Sequence, residues 1–125
     1  MKKYESDSIK FLCKVESAIE FMCKHGIMIV PLLSGSGMRI KIIEGMALAC
    51  PIVSTTIGAE GINFRNNKDL LIANETSQFA ETIIRLLRNK DIRQSLGRHA
   101  KETIVESYAN QKKIDTLLSH YKSII

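Results

Sequence analysis

The sequence predicts an α/β fold with a mainly parallel sheet, and three observations carry that prediction. Short apolar runs without polar alternation occur at Ile27–Leu33, Ile52–Thr55 and Leu70–Ala73, the pattern of strands covered on both faces. Amphipathic stretches at helical spacing separate or follow them. Strands that alternate with helices give βαβ units, and consecutive units of that kind give parallel pairing.

Taken in order, Ile9–Val15 (IKFLCKV) alternates apolar and charged positions and is read as a first strand. Ser17 and Glu20 form a capping-box pattern that opens a short helix to about Lys24, which Gly26 stops. His25 is read as a helix-end residue rather than a catalyst. After Ile27–Leu33 come a Gly-Ser loop, Ser34–Gly37, and a helix from about Gly37 to Ala49. Cys50-Pro51 ends that helix, Ile52–Thr55 forms the next strand, and Gly58 and Gly61 shape the following turn. Leu70–Ala73 makes a fourth strand.

Three helices close the chain. The first, Thr76–Arg88, is expected to bury Phe79, Ile83, Leu86 and Leu87. The second runs from about Asp91 to Tyr108 with Asp91 and Gln94 as its capping box. The third starts at an Asn110 cap and carries Ile114, Leu117, Leu118 and Tyr121 on one face.

With 125 residues, 45% of them hydrophobic and 25% charged, the chain has the length and composition of one ordinary globular domain. The net charge of +5 suits an anionic ligand, but 18 basic residues are spread without a run that interleaves aromatics, so no nucleic-acid partner is expected. Cys13, Cys23 and Cys50 form no CxxC pair and sit in apolar contexts, read as buried, reduced thiols. No metal-ligand spacing occurs. The charged start and the lack of a long apolar run favour a cytoplasmic location over secretion or a membrane span.

The chemistry concentrates in Pro31–Gly61, PLLSGSGMRIKIIEGMALACPIVSTTIGAEG. Gly35 and Gly37 let backbone approach a ligand, and Ser34 and Ser36 add hydroxyls. The helix start beyond them directs unpaired N–H groups and a positive dipole end at the same place, beyond a strand's carboxyl end. Arg39 and Lys41 add charge, and the implied ligand is an anion such as a phosphate or diphosphate. Neither GxGxxG nor GxxxxGK[ST] is present, which disfavours a dinucleotide fingerprint and a P-loop. On a helical wheel Met38, Ile40, Ile42, Ile43, Met46, Ala47 and Ala49 share one arc, and Lys41 and Glu44 lie opposite, either as a surface ion pair or as site residues. Arg39 falls within the apolar arc and, from the first turn, can project past the helix end into the cleft. No GxSxG occurs and the histidines lie elsewhere, so nucleophilic catalysis is not indicated.

The segment GSGMRIKIIEGMALACPIVSTTIGAEG resembles the donor-binding part of GT-B type retaining glycosyltransferases (glycosyl transferases group 1), whose pattern reads PLxxGSGxRxKxLEAMAxGxPVVSTxxGAEG. The family includes many bacterial polysaccharide enzymes. The similarity extends from about Ile9 to the C-terminus.

The resemblance implies a partial Rossmann-like αβα sandwich of about four strands with a helical tail. Residues 1–125 would be one domain, a truncated C-terminal nucleotide-sugar-binding unit. It further implies transfer of a sugar from a nucleotide-activated donor to an acceptor. Donor binding would rest on Gly35, Ser36, Gly37, Met38, Arg39, Lys41 and Glu44. No catalytic residue, metal or cofactor is assigned, because the nucleotide-diphosphate sugar is the substrate. Glu44 matches the second glutamate of the family's Glu-x7-Glu motif, which holds the donor ribose, whereas Ser36 replaces the first. Gly45 and Ala49 stand where alanine and glycine are usual. In the full-length enzyme a peripheral position at the inner face of the membrane is expected.

The family's sheet has two further strands ahead of Ile27–Leu33. Without them this strand keeps a bare apolar edge. The expected outcomes are that Ile9–Val15 fills the gap or that two chains pair, through that edge or through the apolar face of the last helix. Two other functions are weighed against donor recognition: a non-catalytic, truncated nucleotide-binding module, and a basic α/β domain that binds nucleic acid. Saturable binding of nucleoside diphosphates separates the first two from the third, which would answer DNA in a strongly salt-dependent way.

Overall fold

The computed structural model describes residues 2–24 and 26–124; His25 lies outside the described residues. A 3-10 turn, Lys2–Tyr4, leads into α1 (Ala18–Lys24), β1 (Met28–Val30), α2 (Ile40–Ala47), β2 (Ile52–Ser54), β3 (Leu71–Ile72), α3 (Thr76–Arg88) and α4 (Lys90–Ile124). The sheet has three strands in the order β1-β2-β3, all parallel, with Ile29 opposite Val53 and Ser54 opposite Ile72.

Both faces of β2 and β3 are covered. Ile52 and Leu70 pack with Ile42 and Met46 of α2 and with Ala100 of α4. Their sequence neighbours Val53 and Leu71 point the other way, onto Leu86 of α3 and Leu96 of α4. The two-residue period of a strand thus puts every second apolar side chain into a different core. That explains the uninterrupted apolar runs, and it makes the architecture a three-layer αβα sandwich. The α/β expectation holds.

The fourth strand does not form among the described residues. Ile9–Val15 carries only an isolated antiparallel bridge between Ser6 and Ile9, and Ile9, Phe11, Leu12 and Cys13 are exposed. An alternating pattern supplies one apolar face, but a strand also needs a neighbour for its N–H and C=O groups. The free edge of β1 is not used for this. Accordingly Ile29 is 51% exposed.

Other boundaries shift for local reasons. Ser17 caps α1, accepting from the Glu20 N–H at 3.2 Å. The expected second and third tail helices are one helix of 35 residues. Asn110 lies inside it, because an isolated Asn costs a helix only a fraction of a kcal/mol and no Pro or Gly follows. Asn89, rather than Asp91, caps α4, its Oδ1 accepting from the Ile92 N–H at 3.2 Å. Leu87 of α3 is 62% exposed, while Phe79, Ile83 and Leu86 join the core as expected. The side chains of Ile114, Leu117 and Tyr121 lie outside the described residues, and Leu118 is exposed. Of the three thiols only Cys50 is buried, and burial pushes its pKa up; Cys13 and Cys23 are exposed.

The C-terminal end of α2 puts Ala49 in a conformation that favours glycine. Cys50 N–H bonds Gly45 C=O at 2.9 Å and Ala49 N–H bonds Met46 C=O at 3.0 Å. This is a Schellman motif, in which the residue after the cap takes a left-handed conformation. Ala49 does so at φ 57°, a conformation that costs an L-residue roughly 1–2 kcal/mol. Ala49→Gly is therefore expected to stabilise the fold by about 0.5–1 kcal/mol, once the greater unfolded-state entropy of glycine is set against the relieved strain. A rise in the urea midpoint at constant m-value measures it.

Candidate functional site

The loop Ser34–Gly37 leaves the carboxyl end of β1 and enters α2, so the fold puts it at the ligand-binding end of a parallel sheet. Gly35 and Gly37 have φ values of 123° and 91°, which side chains with a Cβ rarely adopt. They hold the chain out of helical geometry until Arg39, itself extended at φ −92° and ψ 95°. Helix α2 consequently starts at Ile40, three residues later than expected, and Ile40 is 64% exposed. Its buried side is Ile42, Gly45 and Met46; Met38 and Ala47 of the expected arc are exposed.

Arg39 does not extend into the cleft. Its Nη1 donates to the carbonyls of Ser36 at 2.8 Å and Gly37 at 3.0 Å. The guanidinium also lies over Gly35, where a Cβ would come within 2.7 Å of Nη2. Gly35, Ser36, Gly37 and Arg39 are thus one assembly, a glycine loop clamped by a cation at the amino end of a helix. Met38 packs against the second glycine turn, lying 3.6 Å from the position a Cβ on Gly61 would take.

Lys41 and Glu44 pair with each other one turn further along α2, at 3.1 Å, with side chains 68% and 44% exposed. The Glu44 Oε2 atom that meets Lys41 is shielded from solvent and makes no hydrogen bond of good geometry. Among the described residues, neither side chain bonds to the Ser34–Gly37 loop. The structure therefore divides the seven candidate residues into a clamped loop and a separate ion pair.

Sequence reasoning missed the polar bracing around this loop. Thr55, just past β2, donates from Oγ1 to the carbonyl of Leu32 and accepts the Gly58 N–H at 3.0 Å. It ties the end of β1 to the second glycine turn. Beside it, Thr56 N–H donates to Asn74 Oδ1 at 2.9 Å and Asn74 Nδ2 donates to Thr56 Oγ1 at 3.0 Å. The Ser-Thr-Thr sequence after a buried strand was the available signal. On the α3 side of the sheet an apolar cavity of about 340 Å³ opens between Ile29, Leu33, Thr55, Asn74, Phe79 and Ile83. None of the seven candidates lines it. No group of three or more His, Cys, Asp or Glu placed to hold a metal occurs among the described residues. No helix among them is long and apolar enough to cross a membrane.

An uncharacterized 44.6 kDa protein in the cps region of Klebsiella pneumoniae is 32% identical over 73% of this chain and 24% of its own length. The N-acetyl-alpha-D-glucosaminyl L-malate synthase of Bacillus anthracis is 24% identical over 94% of this chain and 30% of its own length. An uncharacterized glycosyltransferase of Methanocaldococcus jannaschii is 30% identical over 70% of this chain and 25% of its own length. The chain thus spans a quarter to a third of the length of these relatives. Residues 1–89, which include the glycine loop, α2 and all three strands, match the family described as "Glycosyl transferases group 1". The chain belongs to the glycosyl transferases group 1 family.

Proposed function

We propose that this chain carries the donor side of a glycosyl transfer reaction, binding the diphosphate of a nucleotide sugar at Gly35–Arg39. The observation behind this reading is the clamped loop: two positive-φ glycines at the amino end of α2, with a guanidinium fixed over them. Backbone N–H groups and the helix dipole favour an anion there. A leaving diphosphate gains charge in the transition state, and preorganised donors in that position stabilise it without a metal. Arg39 is first a positioning residue, since both bonds from its Nη1 go to loop carbonyls, and its charge adds to the attraction for an anion. Glu44 is assigned to the donor ribose and Lys41 to holding that carboxylate. Relatives with names as different as the malate synthase and a trehalose synthase keep the proposal at the level of a nucleotide sugar.

Calorimetric titration with UDP, GDP, ADP and their sugars tests it. One nucleotide should bind saturably. Arg39→Ala should weaken it by about 10- to 100-fold, the range for lost hydrogen bonds to charged groups. Arg39→Lys, which keeps the charge but loses the planar guanidinium whose Nη1 donates to two carbonyls, should fall between. Equal affinity for wild type and Arg39→Ala would sink the proposal.

A further inference from the structure

At the opposite end of the sheet, before β3 rather than after β1, a second cavity of about 340 Å³ collects Asn67, Lys68, Arg85, Ser95 and His99 over a floor of Leu71 and Leu96. These residues come from three separate parts of the chain: the turn ahead of β3, the last turn of α3 and the second and third turns of α4. Lys68 and Arg85 make no ion pair among the described residues, and the polar lining contains no carboxylate. Cations that converge without a counter-ion favour an anionic ligand. The turn that presents Lys68 is also held rigid. Lys68 N–H and Asp69 N–H both bond the Arg65 carbonyl, at 3.2 and 2.9 Å, and Asn67 holds φ 64° with its N–H on the Leu70 carbonyl. Ser95 Oγ and His99 Nδ1 meet at 3.4 Å, one helical turn apart.

We propose that this cavity is a second anion site, distinct from the glycine loop, which takes the phosphate group of a small phosphate ester. Lys68 and Arg85 supply the charge, Ser95, His99 and Asn67 the directional hydrogen bonds, and Leu71 and Leu96 an apolar floor for the ester's carbon part. The size fits a small metabolite, since ligand cavities begin at about 300 Å³. The phosphate comes either from a soluble ester or from a phospholipid headgroup. The site draws on none of the residues proposed for the nucleotide sugar, so each can fail without the other.

Backbone-amide NMR on the full chain, titrated with phenyl phosphate and separately with inorganic phosphate, provides the test. Saturable shifts are expected at Lys68, Ser95 and His99, tighter for the ester. They should be reduced at least tenfold in affinity by K68A/R85A and left unchanged by R39A. Both cations are exposed, so the double variant should keep the wild-type unfolding midpoint, measured alongside. Co-sedimentation with phosphatidylglycerol vesicles forms the second arm. Vesicle binding abolished by K68A/R85A, with no response to phenyl phosphate, assigns the phosphate to a headgroup and supports the site. The proposal is overturned if neither the soluble probes nor the vesicles give a response, if K68A/R85A binds as wild type, or if R39A removes the response.

Discussion

Gly97→Ala should destabilise the fold by about 3 kcal/mol or more, although it replaces a glycine inside a helix. Propensity alone predicts the reverse, a gain of about 1 kcal/mol. The contact decides the sign. A Cβ on Gly97 would sit 2.0 Å from the carbonyl oxygen of Ala49 and 2.8 Å from its carbon. These are backbone atoms held by the Schellman bonds at the end of α2, so no side chain can swing aside. Relief requires α2 and α4 to separate, which opens the core shared by Ile42, Met46 and Ala100. Overpacking typically costs 1–3 kcal/mol, and a contact this short belongs at or beyond the upper end. For a domain stabilised by about 5–15 kcal/mol that is a large fraction. Because Arg39 and the glycine loop lie at the other end of α2, the nucleotide affinity proposed for that loop should fall together with the urea midpoint. An unchanged midpoint in Gly97→Ala would show that α4 does not approach α2 as closely as described.

That contact could not be anticipated from the sequence, because it joins positions 49 and 97 through the tertiary packing of two helices. What the sequence did make legible was set by periodicity. Ile27–Leu33, Ile52–Thr55 and Leu70–Ala73 stood out because parallel strands bury both faces, and Thr76–Arg88 because its apolar stripe is bounded by polar ends. Ile9–Val15 misled for the complementary reason: alternation reports an amphipathic face and says nothing about whether a neighbouring strand exists. The division of the tail at Asn110 overrated a weak helix breaker.

At the site, the glycine loop and Arg39 were visible as residue types. The direction of Arg39 was not, since a bond to carbonyls two and three residues back leaves no trace in periodicity. The second anion site was illegible for another reason. Lys68, Arg85 and His99 are ordinary surface residues in sequence, and only the packing of α3 and α4 beside the turn before β3 gathers them.

The same turn underlies the prediction with the clearest pH dependence. Asp69 is fully buried and accepts four hydrogen bonds. They come from the Arg65 N–H at 2.8 Å, Arg65 Nε at 3.2 Å, Arg65 Nη2 at 3.0 Å and Thr103 Oγ1 at 2.9 Å. Thr103 belongs to α4, so this carboxylate ties the loop ahead of β3 to the long helix. Burial pushes the Asp69 pKa up. The Arg65 side chain, the Arg65 backbone N–H, the Thr103 hydroxyl and the guanidinium charge together outweigh burial, and the net shift is downward from the usual 3.8. With the folded pKa below the unfolded one, the unfolded chain takes up the proton first. The stabilisation is therefore complete above the unfolded value and drains away as pH falls from about 5 through 3.8 towards the lower folded pKa. Asp69→Asn should cost about 2–3 kcal/mol at pH 7, because the amide accepts fewer of these bonds and carries no charge. Its deficit against wild type should shrink steadily between about pH 5 and pH 3. Urea unfolding of both proteins at pH 7, 5, 4 and 3 isolates this group, since every other carboxylate titrates in both. A deficit that stays constant across the series would mean that the Asp69 charge contributes nothing, and that the turn is held by its backbone bonds alone.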